Sequence, residues 1–165
     1  MFYIEVFEAL SLERIQYLLV GGLAVNLHGV PRLTYDIDII ISIDRENILR
    51  LNAALKKLGY VPRLPVSPDN LADEKILKDW IENKNMTAFS FYHSRENNKV
   101  IDIVISHPLS FSEAYARAER RTVKNIEIPI VSIDDLICMK EFAARPKDLS
   151  DRDMLIEARR IMENK

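Results

Sequence analysis

Residues 32–43 read Arg32-Leu33-Thr34-Tyr35-Asp36-Ile37-Asp38-Ile39-Ile40-Ile41-Ser42-Ile43. The isoleucines at 37, 39, 40, 41 and 43 are β-branched and too apolar for an exposed element, so Tyr35–Ile43 reads as a buried β-strand. In an extended chain Asp36 and Asp38 then point to one face, roughly 6 to 7 Å apart along the strand, while Ile37, Ile39 and Ile41 fill the other. Two like charges at the head of a buried strand repel each other and lose hydration, and a divalent cation with hard oxygen ligands relieves both effects. The alternative is a pair of carboxylates that merely cap the strand in water, which an isolated Asp-x-Asp does more often than it binds metal.

Upstream lies a second unusual stretch. The chain has 4 glycines, and Gly21, Gly22 and Gly29 fall together just after the apolar run Tyr17–Val20. Glycine permits positive φ and close approach to the backbone, and here it precedes a short helix over Leu23–His28 whose first N–H groups are free to meet a phosphate. A tight strand-to-helix turn with no ligand explains the same residues. The segment is neither G-x-G-x-x-G nor a P-loop, which needs a following Lys-Ser/Thr. Downstream, Asp102 interrupts the otherwise apolar Val100-Ile101-Asp102-Ile103-Val104-Ile105. An unpaired carboxylate buried there costs on the order of several kcal/mol. Either a neighbouring Arg or Lys compensates it, or it shares a metal with Asp36 and Asp38 from an adjacent strand ~4.8 Å away.

The remaining periodicities predict alternating helices and strands. An amphipathic helix covers Ile4–Ile15, and Asp44 caps a helix that carries Ile48, Leu51, Leu55 and Leu58 on one stripe before Gly59. Tyr60–Pro68 reads as a loop, and Ser67-Pro68 opens a helix that turns Ile76, Leu77, Trp80 and Ile81 inward. Met86–Tyr92 and Lys99–Ile105 form a hairpin around Glu96-Asn97-Asn98. Ser110-x-x-Glu113 starts a helix to about Arg120, and Arg121–Val131 supplies one or two short strands. A helix from Ser132 ends before Pro146, and Ser150–Met162 is the last helix. The fold class is α+β, with helices flanking a small mixed sheet.

The chain of 165 residues, 48% hydrophobic and 29% charged, suits one domain spanning 1–165 and excludes a disordered or collagen-like chain. No apolar run approaches the ~20 residues of a membrane helix, and no membrane partner is expected. The formal net charge of −2 and pI near 6.0 argue against tight nonspecific nucleic-acid binding. Met1–Leu10 lacks the basic, apolar and small-residue regions of a secretory signal, and the single Cys138 forms no internal disulfide, so a cytoplasmic location is expected. His28, His93 and His107 lack zinc-site spacing, no G-x-S-x-G elbow is present, and Cys138 reads as a core thiol. Arg117, Arg120, Arg121 and Lys124 form a charge cluster that reads as a solvated helix end, with a face for an RNA acceptor as the alternative. Aspartyl-nucleophile phosphohydrolases also use Asp-x-Asp, but there the apolar strand leads into the first Asp, whereas here it follows.

Taken as a series, Gly21-Gly22, Arg32-Leu33-Thr34-Tyr35-Asp36-Ile37-Asp38 and Asp102 resemble the signature of the DNA polymerase beta-type nucleotidyltransferase superfamily, most nearly the bacterial abortive-infection (AbiEii-type) nucleotidyltransferase toxins. The resemblance implies the nucleotidyltransferase fold and transfer of a nucleoside monophosphate from an NTP, ATP included, to a hydroxyl acceptor. It implies that Asp36, Asp38 and Asp102 bind two Mg²⁺ ions, for which Mn²⁺ can substitute, and that Gly21 and Gly22 hold the phosphates. Arg32 and Lys140 are further phosphate-contact candidates, Lys140 against a solvated-surface alternative. In the superfamily the glycine motif is usually Gly-Ser, whose serine helps to bind the triphosphate; Gly22 occupies that serine position. The implied partners are the NTP, an acceptor that is RNA, a protein or a small molecule, and a cognate toxin–antitoxin protein. The competing reading is a nucleotide-binding module of little or no activity that serves as a toxin–antitoxin partner.

Overall fold

The computed structural model describes residues 2–165. Its organising element is the isoleucine strand, β2 (Ile37–Ile41), in the middle of a seven-stranded mixed sheet. On one side lie β5 (Val100–Val104), β4 (Ala88–His93) and β3 (Tyr60–Pro62); on the other lie β1 (Tyr17–Val20), β7 (Ile126–Ile130) and β6 (Glu119–Val123). The β2–β5 and β1–β7 pairs are parallel and the other neighbours antiparallel. Leu18, Leu19, Ile37, Ile39 and Ile40 are fully buried, which a strand reaches only when both faces of the sheet are covered.

Seven α-helices complete the described residues: α1 (Phe2–Leu12), α2 (Gly21–Leu27), α3 (Arg45–Lys57), α4 (Glu74–Asn83), α5 (Phe111–Ala116), α6 (Ile133–Ala143) and α7 (Pro146–Glu163). The α+β class and mixed sheet agree with the sequence reading, and the Asp44 cap of α3 is present, its carboxylate accepting from the Asn47 N–H. Ile48, Leu51 and Leu55 are buried as the stripe requires, and Leu58 packs at its edge.

Several boundaries differ for identifiable reasons. The strand begins at Ile37 and ends at Ile41, because Tyr35 and Ile43 lie beyond the paired segment and are 70% and 51% exposed. Within the expected loop, Tyr60–Pro62 pairs with Phe91–His93 as a short edge strand, a place where proline's missing N–H is harmless. The α5 helix stops at Ala116 because Glu119–Val123 is drawn into a hairpin with β7. The last helix starts at Pro146, not Ser150, with Pro in the first turn and Asp148 closing a capping box on Arg145. Ser67 caps a 3₁₀ turn, Pro68–Ala72, and Asp73 caps α4 separately. Among the described residues no helix is long and apolar enough to cross a membrane.

The β1–β2 register is locked by one buried side chain. Asn47 of α3 accepts from the Gln16 N–H at 2.8 Å and donates to the carbonyls of Gln16 at 3.0 Å and Ser42 at 2.8 Å, where β1 begins and β2 ends. Asn47→Ala leaves the Gln16 N–H and the Ser42 carbonyl without this partner, while the Gln16 carbonyl keeps only the Ser42 N–H. It should therefore destabilise the protein by about 3 kcal/mol in urea unfolding, a loss well beyond that of an exposed polar-to-Ala change.

Candidate active site

The sheet register draws one row of residues across four strands. Val20 of β1 stands opposite Asp38 of β2, Asp38 stands beside Asp102 of β5, and Asp102 stands opposite Ser90 of β4. Neighbours at one level of a pleated sheet send their side chains to the same face, so Asp38, Asp102 and Ser90 converge by backbone geometry alone. Asp36 lies at the bend just before β2, on the same side by the two-residue period. The row ends at Val20, after which the chain turns at Gly21 into α2.

This arrangement concentrates negative charge. Burial first, then the Asp102 and Asp36 carboxylates, push the Asp38 pKa up to about 6, with Lys140 and Lys147 opposing. Asp36 is raised as well, by burial and then Asp102, against Arg63 and Lys147. Asp102 is only partly buried, and among the described residues no Arg or Lys forms a salt bridge with it. The Ser90 hydroxyl donates to its Oδ1 at 2.5 Å. Ser90 escaped the sequence reading, although a lone polar residue in Phe89-Ser90-Phe91 was its trace. Arg63 and Lys147, exposed cations whose charges are felt at Asp36 and, for Lys147, also at Asp38, went unrecognised too.

The two glycines work differently from each other. Gly21 has φ +66°, and a Cβ there would sit 2.2 Å from Asp38 Oδ2, so this carboxylate lies flat against the turn. Gly22 is buried, and a Cβ there would meet Thr34 Oγ1 at 2.5 Å and Thr34 Cβ at 2.8 Å. The close approach expected at this turn is thus made in part by the protein's own side chains. At the start of α2, Val20 provides no side-chain cap.

Arg32 and Lys140 enter a buried ionic network. Arg32 Nη1 meets Asp151 at 2.5 Å, and Lys140 Nζ lies 2.9 Å from Asp151 and 3.3 Å from Asp148. Arg145 Nε donates to Asp148 at 2.7 Å. Burial raises the Asp148 pKa, but the Arg145 hydrogen bond and the Lys140 and Arg145 charges outweigh it, and the net shift is downward. Lys140 is 7% exposed, so the solvated-surface alternative for it is excluded. The Arg32 guanidinium also borders Gly22, its Cζ 3.4 Å from where a Cβ would stand. The network thereby fastens α6 and α7 to the loop that carries the carboxylates.

Among the described residues no three His, Cys, Asp or Glu side chains stand as a ready cage for an ion. Asp38 rests on Gly21, and Asp102 leans on Ser90. The donor set still fits a hard divalent cation: three carboxylates, all oxygen donors, of which Asp38 and Asp36 are raised by burial first and then by mutual repulsion, and none of which has a salt-bridge partner among the described residues.

Two predictions follow from these charges. Unfolded Asp38 titrates near its ordinary value of 3.8 and folded Asp38 near 6, so within that window the folded state keeps a proton the unfolded state has lost. Raising the pH of metal-free protein from about 4 to about 7 should cost wild type roughly 1–3 kcal/mol relative to Asp38→Asn, measured by urea unfolding. Separately, Asp151→Ala leaves Lys140 and Arg32 without their shared partner. It should lower stability by about 3–5 kcal/mol, which a thermal or urea titration will register.

The chain matches known proteins at the level of a family model and of the fold. A family model described as "Nucleotidyl transferase AbiEii toxin, Type IV TA system" matches residues 6–164. No curated protein matches the chain by sequence. The lincomycin-bound lincosamide antibiotic adenylyltransferase LnuA superimposes with a TM-score of 0.59 at 16% identity, covering 95% of this chain and 94% of that one. ANT(2″)-Ia, crystallised with adenylyl-2″-tobramycin, gives 0.60 at 12% identity over 95% and 87% of the two chains. At these identities the likeness is one of fold.

Proposed function

The chain belongs to the AbiEii nucleotidyl transferase toxin family, and from that premise we propose that it transfers a nucleoside monophosphate from an NTP to a hydroxyl acceptor at the row formed by Asp36, Asp38 and Asp102. The observation that supports this reading most is the in-register pairing of Asp38 with Asp102 beside the Gly21 turn. Nothing in the packing of the sheet requires two carboxylates there, and their repulsion makes the site costly without a cation. Asp36, Asp38 and Asp102 would hold Mg²⁺ or Mn²⁺, which when bound supplies Lewis-acid polarisation of the phosphate oxygens and of the acceptor hydroxyl.

The protein's own groups then have separable tasks. Ser90 holds Oδ1 of Asp102, leaving Oδ2 as the oxygen available to a cation. The backbone N–H groups at Gly21 and Gly22 orient the β- and γ-phosphates. Arg32 borders the same turn, while Lys140 acts from beneath it, its charge felt at Asp38 and its position fixed by Asp148 and Asp151. The acceptor oxygen attacks the α-phosphorus, the bond from that phosphorus to the bridging oxygen breaks, and pyrophosphate departs. The proton of the acceptor hydroxyl passes to Asp102. The acceptor is a hydroxyl of RNA, of a protein or of a small molecule, the setting is cytoplasmic, and membership of a toxin–antitoxin family points to a cognate antitoxin partner.

Purified protein incubated with Mg²⁺, each of the four α-phosphate-labelled NTPs and cell extract should incorporate label. Asp36→Asn and Asp102→Asn should each reduce incorporation by about a hundredfold or more with circular dichroism unchanged. Retention of wild-type incorporation by Asp102→Asn would remove that carboxylate from the mechanism. NTP binding with no incorporation into any acceptor would instead favour a recognition module.

A further inference from the structure

Gly22 is buried because Thr34 stands on it. The loop that carries Thr34 is held from three directions: Asn26 Oδ1 accepts from the Arg32 N–H at 2.9 Å, the Tyr3 hydroxyl donates to the Thr34 carbonyl at 3.2 Å, and Arg32 pairs with Asp151. Thr34 is β-branched and therefore stiff at χ1, so its hydroxyl is placed by the backbone. That hydroxyl lies 2.5 Å from the point where the Cβ of a side chain at position 22 would stand. It is partly buried and makes no hydrogen bond among the described residues.

The turn consequently has two chemically opposite halves. Over Gly21 lies a carboxylate, Asp38; over Gly22 lie a free hydroxyl donor, Thr34, and the guanidinium of Arg32. A cation is favoured on the first half and an anion on the second, the polarity of a metal-bound triphosphate. We propose that Thr34 donates the side-chain hydrogen bond to a terminal phosphate oxygen of the NTP, reaching from the far side of the turn to the place where a serine at position 22 would otherwise supply it. The proposal rests on the nucleotidyltransferase reading of the site. It also explains why position 22 is glycine: a Cβ there would collide with both Thr34 Oγ1 and Thr34 Cβ, so the two side chains exclude each other.

The test uses the full-length protein and calorimetric titration with two probes, Mg²⁺–ATP and base-free Mg²⁺–tripolyphosphate. Thr34→Val keeps the shape and removes the donor, and should weaken both probes about tenfold or more, as loss of a hydrogen bond to a charged group does. Thr34→Ser should bind within about threefold of wild type. Gly22→Ser alone should bind poorly and melt at lower temperature because it collides with Thr34. Gly22→Ser combined with Thr34→Gly, which removes both colliding atoms, should recover most of the affinity, by restoring one hydroxyl from the other direction. Wild-type affinity in Thr34→Val, or failure of the double substitution to improve on Gly22→Ser, overturns the assignment of Thr34. Wild-type protein that binds neither probe overturns the site reading and this assignment together.

Discussion

The molecule is organised by the lateral register of its central strands. Once Ile37–Ile41 pairs with Tyr17–Val20 on one side and Val100–Val104 on the other, Asp38 has the Gly21 turn on one flank and Asp102 on the other. Backbone hydrogen bonding sets these separations, and a one-residue slip would turn Asp102 to the opposite face. The apolar packing of Ile37, Ile39 and Ile41 therefore does more than stabilise. It maintains a repulsive pair of carboxylates that no isolated segment of chain would hold together, and the buried Asn47 bridge holds the same register from the far end of the strands.

A second constraint keeps the moving parts of such a site in place. Segment 32–36 has no regular structure, yet it carries Thr34 and Asp36. Its rigidity comes from the Arg32–Asp151 pair, which reaches across 119 residues of sequence, and from Lys140, which shares Asp151 and touches Asp148. Buried ion pairs contribute little net stability compared with apolar packing, but loss of one partner is expensive. Here the network commits α6 and α7 to one arrangement against the glycine turn. Of its cations, Lys140 lies close enough to moderate Asp38 without neutralising it.

Much of this was legible in the sequence wherever a residue violated its local pattern. Three glycines in nine residues, two aspartates ahead of an isoleucine run and one aspartate inside an apolar strand each stood out because chemistry disagreed with packing. The helices with strong caps and stripes were equally readable. What escaped depends on contacts between distant segments. Tyr60–Pro62 is too short to show a period and becomes a strand only because Phe91–His93 is beside it. Ser90 acquires meaning only from the hairpin register that sets it opposite Asp102. The burial of Lys140 depends on two aspartates of the next helix, and the seat of Thr34 on Gly22 depends on how an irregular loop folds back over the turn. Neither leaves a periodic trace.

The central claim is that Asp36, Asp38 and Asp102 form one cation site next to a phosphate cradle at Gly21, Gly22 and Thr34. Crystals grown with Mn²⁺ and a nonhydrolysable NTP analogue, measured at the manganese absorption edge, examine it directly. The account predicts an anomalous peak touching oxygens of Asp38 and Asp102, with Asp38 lifted from Gly21 and the terminal phosphates lying over Gly22 and Thr34. Manganese bound elsewhere, with Asp38 still against the turn and the analogue away from it, would contradict the account.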